Sequence, residues 1–466
     1  MKIIFTILFF QLIFITNICI SQSINSNIWY FGGYAGLDFN SGVPVALTNG
    51  AMNHIEGCAT ACDSSGTLLF YTDGQKVWNK LHQVMPNGNG LMGHNSATQS
   101  SIIVPYPGSA NLFFVFTVDA VENFLHNGFR YSIVNMNLDN GKGDLDISKK
   151  NILLRDSIPE KVTAILDSYE TGYWILTHEW GTDAFLAYHL TPTGLDTIPV
   201  ISHVGSVHTG GAYPSYPPAD GWLNALGYIR ANRWGTKIAV VQYRAPLEMF
   251  DFNRNFGTVS NGISAPVTYD QSYGIEFSPD ETRLYLSTIS SALGTTNKLY
   301  QFDLTSSTPL TTPVLIATTS YDPSAIQVGP DGKIYVSELN HSYISKINDP
   351  NNLGLSCNFV NNGVYLAGKT AKRGLPNLFY YKGFQFITEI NNAISAEISV
   401  FPNPAKTLLY IKGFLGDEIQ VIDINGKKVL EAKNNGKIDI STFTNGLYLI
   451  KIRKGNKSYC TKFIKE

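Results

Sequence analysis

A chain of 466 residues, 44% hydrophobic and 15% charged, is long enough for two domains and a sizeable core. Its formal net charge of −2 gives no footprint for binding nucleic acid or another polyanion. Aromatic residues at 12%, together with 41 Gly, favour short strands joined by tight turns over long helices. The charge is spread unevenly. From Ile398 onward there are 12 Lys+Arg and 6 Asp+Glu, net +6, which leaves the rest of the chain at −8. Such a break points to two domains with separate roles.

The chain opens with Lys2, the apolar run IIFTILFFQLIFI and small residues around Ser21. This pattern predicts a secretory signal peptide over residues 1–22, because the run is shorter than the ~20 residues of a membrane span. No transmembrane segment is expected elsewhere. Five Cys are present. Cys19 belongs to the export segment, and Cys357 and Cys460 are isolated. Cys58 and Cys62 lie four apart on one expected strand, about 13 Å between Cα atoms, too far to bridge each other.

From residue 23 to 387 one sentence recurs: an apolar strand, a turn, and a second apolar strand, often followed by a third. It begins with Ala59–Asp63 and Thr67–Thr72, then Ile102–Val104, Leu112–Thr117 and Arg130–Leu138. It returns as Val162–Leu166, Tyr173–Thr177 and Phe185–Leu190, then as Leu226–Ala231, Lys237–Val241 and Leu247–Phe252. The clearest copies are IEFSPDETRLYLST at Ile275–Thr288, followed by Leu299–Leu304, and IQVGPDGKIYVSE at Ile326–Glu338, followed by Ile344–Asp349. A strand–turn–strand unit repeated this often predicts an all-β fold, a β-propeller. Ile28–Phe39 supplies two strands with no inner strand before them, and Leu375–Tyr381 supplies one with no partners after it. Pairing these ends would close a ring of about seven blades and remove its exposed edge. Residues 388–397 are polar and read as a linker. Residues 398–466 then alternate apolar and polar around Asn-Gly turns, which predicts a small β-sandwich of antiparallel hairpins.

Two resemblances follow from these residues. VFPNPAKTLLYIK at Val400–Lys412, VIDINGKKV at Val421–Val429 and NGLYLIKIRKG at Asn445–Gly455 resemble the type A C-terminal sorting domain of the type IX secretion system. The motif positions are Pro402, Asn403, Pro404, Gly426, Gly446 and Tyr448. The resemblance implies export through the periplasm and outer membrane, type IX machinery as a partner, and a final place at the cell surface or in the medium. WYFGGYAGLDF, GTLLFYTDGQKVWNKLHQVMPNG and THEWGTDAFLAY resemble a secreted propeller found ahead of PKD-type and gliding-motility-type C-terminal domains. That resemblance implies an architecture and no reaction.

In a propeller, the loops entering each innermost strand gather at one mouth of the central channel, where most propeller sites lie. The polar residues there are His54, Glu56, His94, Asn95, Gln99, Glu160, Lys161, His208, Tyr273, Asp322 and Arg373. As a group they suggest an ionic or divalent-metal site, weighed against a mouth that is polar only because it is wet. His178-Glu179 lacks the second zinc-binding His of a zincin, since Thr182 stands in its place, and adjacent strand residues face opposite ways. Asp139–Asp146 is dense in carboxylates but lacks EF-hand spacing, so a charged hairpin is expected. The function read from all this is a surface binding or scaffold module for a glycan or protein, with no catalytic residue and no cofactor assigned. The alternative is a lactonase-like hydrolase or lyase with a metal at the channel mouth.

Overall fold

A computed structural model describes residues 26–211, 221–269, 271–289, 297–381, 399–412, 418–423, 428–433, 436–454 and 457–466. The expected signal peptide, the linker 388–397 and Gly426 lie outside the described residues. Internal contacts divide the chain into two units, Met1–Thr388 and Glu389–Glu466.

The first unit is a succession of antiparallel sheets, each wound outward from its first strand. Sheet 1 holds Ile28–Phe31, Ala35–Asp38 and Val45–Leu47. The first strands of sheets 2 to 7 are Ala59–Cys62, Ser101–Pro105, Thr163–Leu166, Ile229–Ala231, Ser272–Phe277 and Pro323–Val328. These first strands lie side by side in chain order. The expected strand pairs appear with ends shifted by up to about three residues. The outermost strands were not expected. Thr258–Ser264 is largely exposed and Val314–Thr319 about half exposed, and neither carries a clean alternation to mark it.

Large side chains join neighbouring sheets. Tyr30 stacks on Tyr71 at 4.8 Å between sheets 1 and 2, and Phe70 meets Phe113 edge-on at 5.3 Å between sheets 2 and 3. Phe129 lies 5.7 Å from Tyr188, Phe185 lies 4.9 Å from Phe250, and Tyr228 lies 5.8 Å from Tyr273. Tyr285 of sheet 6 donates to the Pro350 carbonyl at 2.7 Å. Tyr335 of sheet 7 meets Trp29 and Phe39 of sheet 1 at 5.6 and 5.4 Å. Bulky strand residues thus fill the space between sheets, as packed sheets require.

The segment expected to pair as a closing strand behaves differently. Only Thr370 and Pro376 form isolated bridges, to Gly33 and Cys58. Leu375–Tyr381 is extended but not a ladder strand. The reason is chemical: Pro376 has no N–H to give to a ladder. Instead the segment runs along the first strands. The Ala325 N–H donates to the Arg373 carbonyl at 2.9 Å, Arg373 N–H to the Ile55 carbonyl at 3.0 Å, and Asn377 N–H to the Cys58 carbonyl at 2.8 Å. The Asn377 side-chain amide then donates to the Ser101 and Val162 carbonyls at 3.2 and 3.0 Å. One asparagine so reaches sheets 2, 3 and 4, and this stretch, the axial segment, runs along their first strands. Cys58, Cys62 and Cys357 are buried free thiols.

The second unit pairs Ser399–Phe401, Leu408–Lys412 and Lys437–Asp439 in one sheet. Glu418–Asp423, Lys428–Ala432, Gly446–Lys454 and Lys457–Lys465 form another, with Leu409, Ile419, Val421, Ile450 and Phe463 buried in the core.

Gly374 sits where the axial segment passes closest to sheet 2. A Cβ there would lie 1.4 Å from the Glu56 carbonyl oxygen, a backbone atom that cannot move aside alone. Gly374→Ala is expected to destabilise the first unit by about 3 kcal/mol or more. Denaturant unfolding of the full chain followed by Trp fluorescence checks this, because all six Trp lie before residue 235.

Candidate functional site

The chain enters every first strand at one face of the sheets and leaves it at the other. The expected site residues lie toward the entry face, and most are already engaged within the protein. Glu56 is buried and accepts from the Tyr273 hydroxyl at 2.8 Å. Arg373 reaches Glu56 at 3.4 Å and Asp322 at 3.3 Å, with a quarter of its side chain exposed. These four form one cluster. Burial pushes Glu56 up to about 7, against the pull of the Arg373 charge. Glu160 is fully buried and accepts from the Thr98 N–H and hydroxyl at 2.7 and 2.8 Å and from the Val121 N–H at 2.8 Å. Burial, with the Glu56 and Glu122 charges, holds it well above the usual carboxylate range.

Lys161 is buried and donates to the Ala225 and Leu226 carbonyls at 2.6 and 2.7 Å, and burial brings it down to about 7. Gln99 clasps Ile229, accepting from its N–H at 2.9 Å and donating to its carbonyl at 3.3 Å. It also donates to the Asn377 side chain at 3.1 Å. His54 is buried against the Gly32 N–H at 2.7 Å. His94 is half-buried and sits 3.2 Å from the Ser96 N–H, while the Asn95 carbonyl accepts from Ile55 and Glu56. His208 stands apart, stacked on His178 with ring centres 3.5 Å apart. Glu179 turns to Arg155, so the His178-Glu179 pair does not converge. The Asp139–Asp146 carboxylates also separate: Asp139 pairs with Lys142 at 2.8 Å, and Asp144 accepts from the Asn87 N–H at 2.8 Å. Among the described residues, no three His, Cys, Asp or Glu side chains gather as a metal site.

Deeper along the axis lie residues that the entry-loop reasoning passed over. Arg230 donates to Asn377 and to the Leu378 carbonyl, both at 2.9 Å, and to Gln327. Its Nε lies 3.6 Å from Glu276. Burial pushes Glu276 up to about 7, while Arg230 and the Val328 and Phe277 N–H groups act the other way. A signal for these was present. Ile229-Arg230-Ala231, Ile275-Glu276-Phe277 and Ile326-Gln327-Val328 carry a polar residue at the same place in three successive first strands.

Beyond this layer, at the exit face, a cavity of about 210 Å³ opens. The ends of sheets 4, 5, 6 and 7 and the tip of the axial segment build it. Polar and charged lining comes from Glu170, Arg230, Arg233, Arg254, Glu276 and Gln327, and aromatic lining from Trp234, Phe379, Tyr380 and Tyr381. Arg254 is fixed by donating to the Leu166 and Asp167 carbonyls at 2.7 and 2.6 Å. The Trp234 backbone N–H donates to Glu281 at 2.9 Å, and the Arg233 guanidinium lies 5.1 Å from its ring centre. The arrangement offers hydrogen-bond donors, carboxylates and ring faces together.

In the second unit, the Asn403 side chain accepts from the Ile464 N–H at 2.9 Å and donates to the Lys462 carbonyl at 3.3 Å, tying the Pro402-Asn403-Pro404 turn to the last strand. Tyr448 donates to the Thr444 carbonyl at 2.8 Å and stacks on Phe463 at 5.4 Å. Gly446 opens the strand that carries Tyr448. Residues 399–466 match the family described as "Secretion system C-terminal sorting domain". This stretch is a type IX sorting tail. The sorting tail addresses the chain to the type IX machinery, and so to the cell surface or the medium. No helix among the described residues is long and apolar enough to cross a membrane.

No curated protein matches the chain. Among solved structures, a putative 6-phosphogluconolactonase from Bacteroides fragilis is similar at 12% identity and a TM-score of 0.44, over 76% of this chain and 97% of that one. A second putative 6-phosphogluconolactonase, from Bacteroides uniformis, is similar at 12% identity and 0.42, over 69% and 92%. The β-propeller domain of Cps50 (Swd1) from Myceliophthora thermophila is similar at 9% identity and 0.38, over 68% and 96%.

The raised Glu276 value has a sign that can be tested. The folded chain holds this proton up to about pH 7, whereas the unfolded chain releases it near the ordinary Glu value. Its contribution to stability is therefore full at low pH and is lost as pH rises through about 7. Glu276→Gln is expected to flatten the fall in stability between pH 4.5 and 7.5 by on the order of 3 kcal/mol. Unfolding curves of both proteins at several pH values check this, and parallel pH profiles would contradict it.

Proposed function

We propose that residues 23–387 form a closed, seven-bladed β-propeller that acts as a binding module at the cell surface. A linker at 388–397 would join it to the sorting tail at 398–466, and a signal peptide at 1–22 would start its export. Trp29 and Phe39 against Tyr335 support closure, because they join the first sheet to the last.

One observation carries the binding reading. The axis is filled by the chain itself, and the groups at the entry face are largely spent on holding it. A cavity opens at the exit face among Glu170, Trp234 and Arg254. In this reading Glu56, Gln99, Lys161, Tyr273, Asp322 and Arg373 serve the ring, and the exit face meets the ligand. Fixed donors, a carboxylate and aromatic faces around a small concavity suit reversible recognition of a polar ligand.

A thermal-shift screen of the full chain against saccharides, peptides and small organic acids tests the proposal. A ligand of the cavity is expected to raise the unfolding temperature, and Glu170→Gln is expected to reduce that shift. A ligand whose effect is untouched by Glu170→Gln but lost in His94→Ala would move the site to the entry face and defeat the proposal.

A further inference from the structure

The cavity and its rim differ in a way that narrows the ligand. At about 210 Å³ the cavity is smaller than the ~300–1,000 Å³ of pockets that enclose a drug-sized molecule. It accommodates one small ring. Outside it, three turns of the exit face carry large aromatic side chains open to solvent. Tyr169 is 77% exposed, Trp234 60% and Phe256 66%. Trp234 lines the cavity itself. Tyr169 adjoins Glu170, and Phe256 lies on the turn that supplies Arg254.

These turns are braced against one another. The Ser168 N–H donates to the Arg254 carbonyl at 3.3 Å, and the Trp174 indole N–H donates to the same carbonyl at 2.8 Å. The Asn232 side chain and the Trp234 N–H both donate to Glu281, at 2.8 and 2.9 Å. The aromatic side chains are therefore presented from fixed turns at low entropic cost. They do not form one apolar patch, because Glu170, Arg233 and Arg254 stand beside them. Ring faces interleaved with carboxylate and guanidinium groups match a ligand whose own surface alternates C–H faces and hydroxyl edges.

We infer that the exit face binds an oligosaccharide by its end: one sugar ring enters the cavity and the following units lie across the rim on Trp234, with Tyr169 and Phe256 beyond it. The inference rests on the cavity reading above and adds the class of ligand and its direction. Isothermal titration of the full chain with linear oligosaccharides of one to six units tests it, using β-1,4-, β-1,3- and α-1,4-linked hexoses and a uronic-acid series. At least one series is expected to bind, with affinity rising tenfold or more from one unit to about three and then levelling. Trp234→Ala is expected to lower affinity tenfold or more with an unchanged unfolding temperature, because its ring is mostly outside the core. Failure of every series to bind overturns the inference. If a non-saccharide ligand is then found that depends on Glu170, the cavity reading survives without it. Equal affinity for one and six units, or binding untouched by Trp234→Ala, overturns the end-on placement.

Discussion

Each first strand pairs within its sheet along one edge only, which leaves its other edge without a partner strand. Buried N–H and carbonyl groups must be paired, so this edge is the main constraint on the first unit. The axial segment answers it. Asn377 alone donates to carbonyls of Ser101 and Val162 and accepts from Gln99 and Arg230. Its backbone N–H goes to Cys58. Below it, Leu378 is held between Arg230 and Gln327. Side chains from the first strands and one short stretch of chain thereby pair several groups along that edge.

The same constraint explains the buried charges. Glu56, Glu160, Lys161, Arg230 and Glu276 are all inside. Unpaired, each would be costly, and each is found with donors or acceptors around it. Their raised or lowered proton affinities follow from burial, so they are signs of a dry axis before they are signs of catalysis. The cavity begins where this polar column stops, at the ends of the first strands.

Much of this was legible in the residues. The strand–turn–strand repeat gave the sheets because period-two apolar runs and Ser-Pro-Asp or Gly-Pro-Asp turns are local signals. The sorting tail was legible because its motifs recur in order over a short span. The outer strands were not, since exposed strands such as Thr258–Ser264 need no apolar face. Of the entry-loop residues, Glu56, Tyr273, Asp322 and Arg373 meet in one cluster, while His208 stands apart on His178. What they meet was hidden, because LPNLFYY looks like a strand until Pro376 and Asn377 are weighed for hydrogen bonds. Gly374 marks the close approach that a sequence shows only as a flexible residue.

The tail carries the address, and the binding role proposed above falls to the first unit. The central claim is that the chain fills its own axis. Hydrogen–deuterium exchange of the full chain tests it most directly, comparing the peptide over 373–381 with the first strand Pro323–Val328. The account predicts that Arg373, Asn377 and Leu378 amides exchange as slowly as that strand. Exchange as fast as in an unstructured peptide would contradict it.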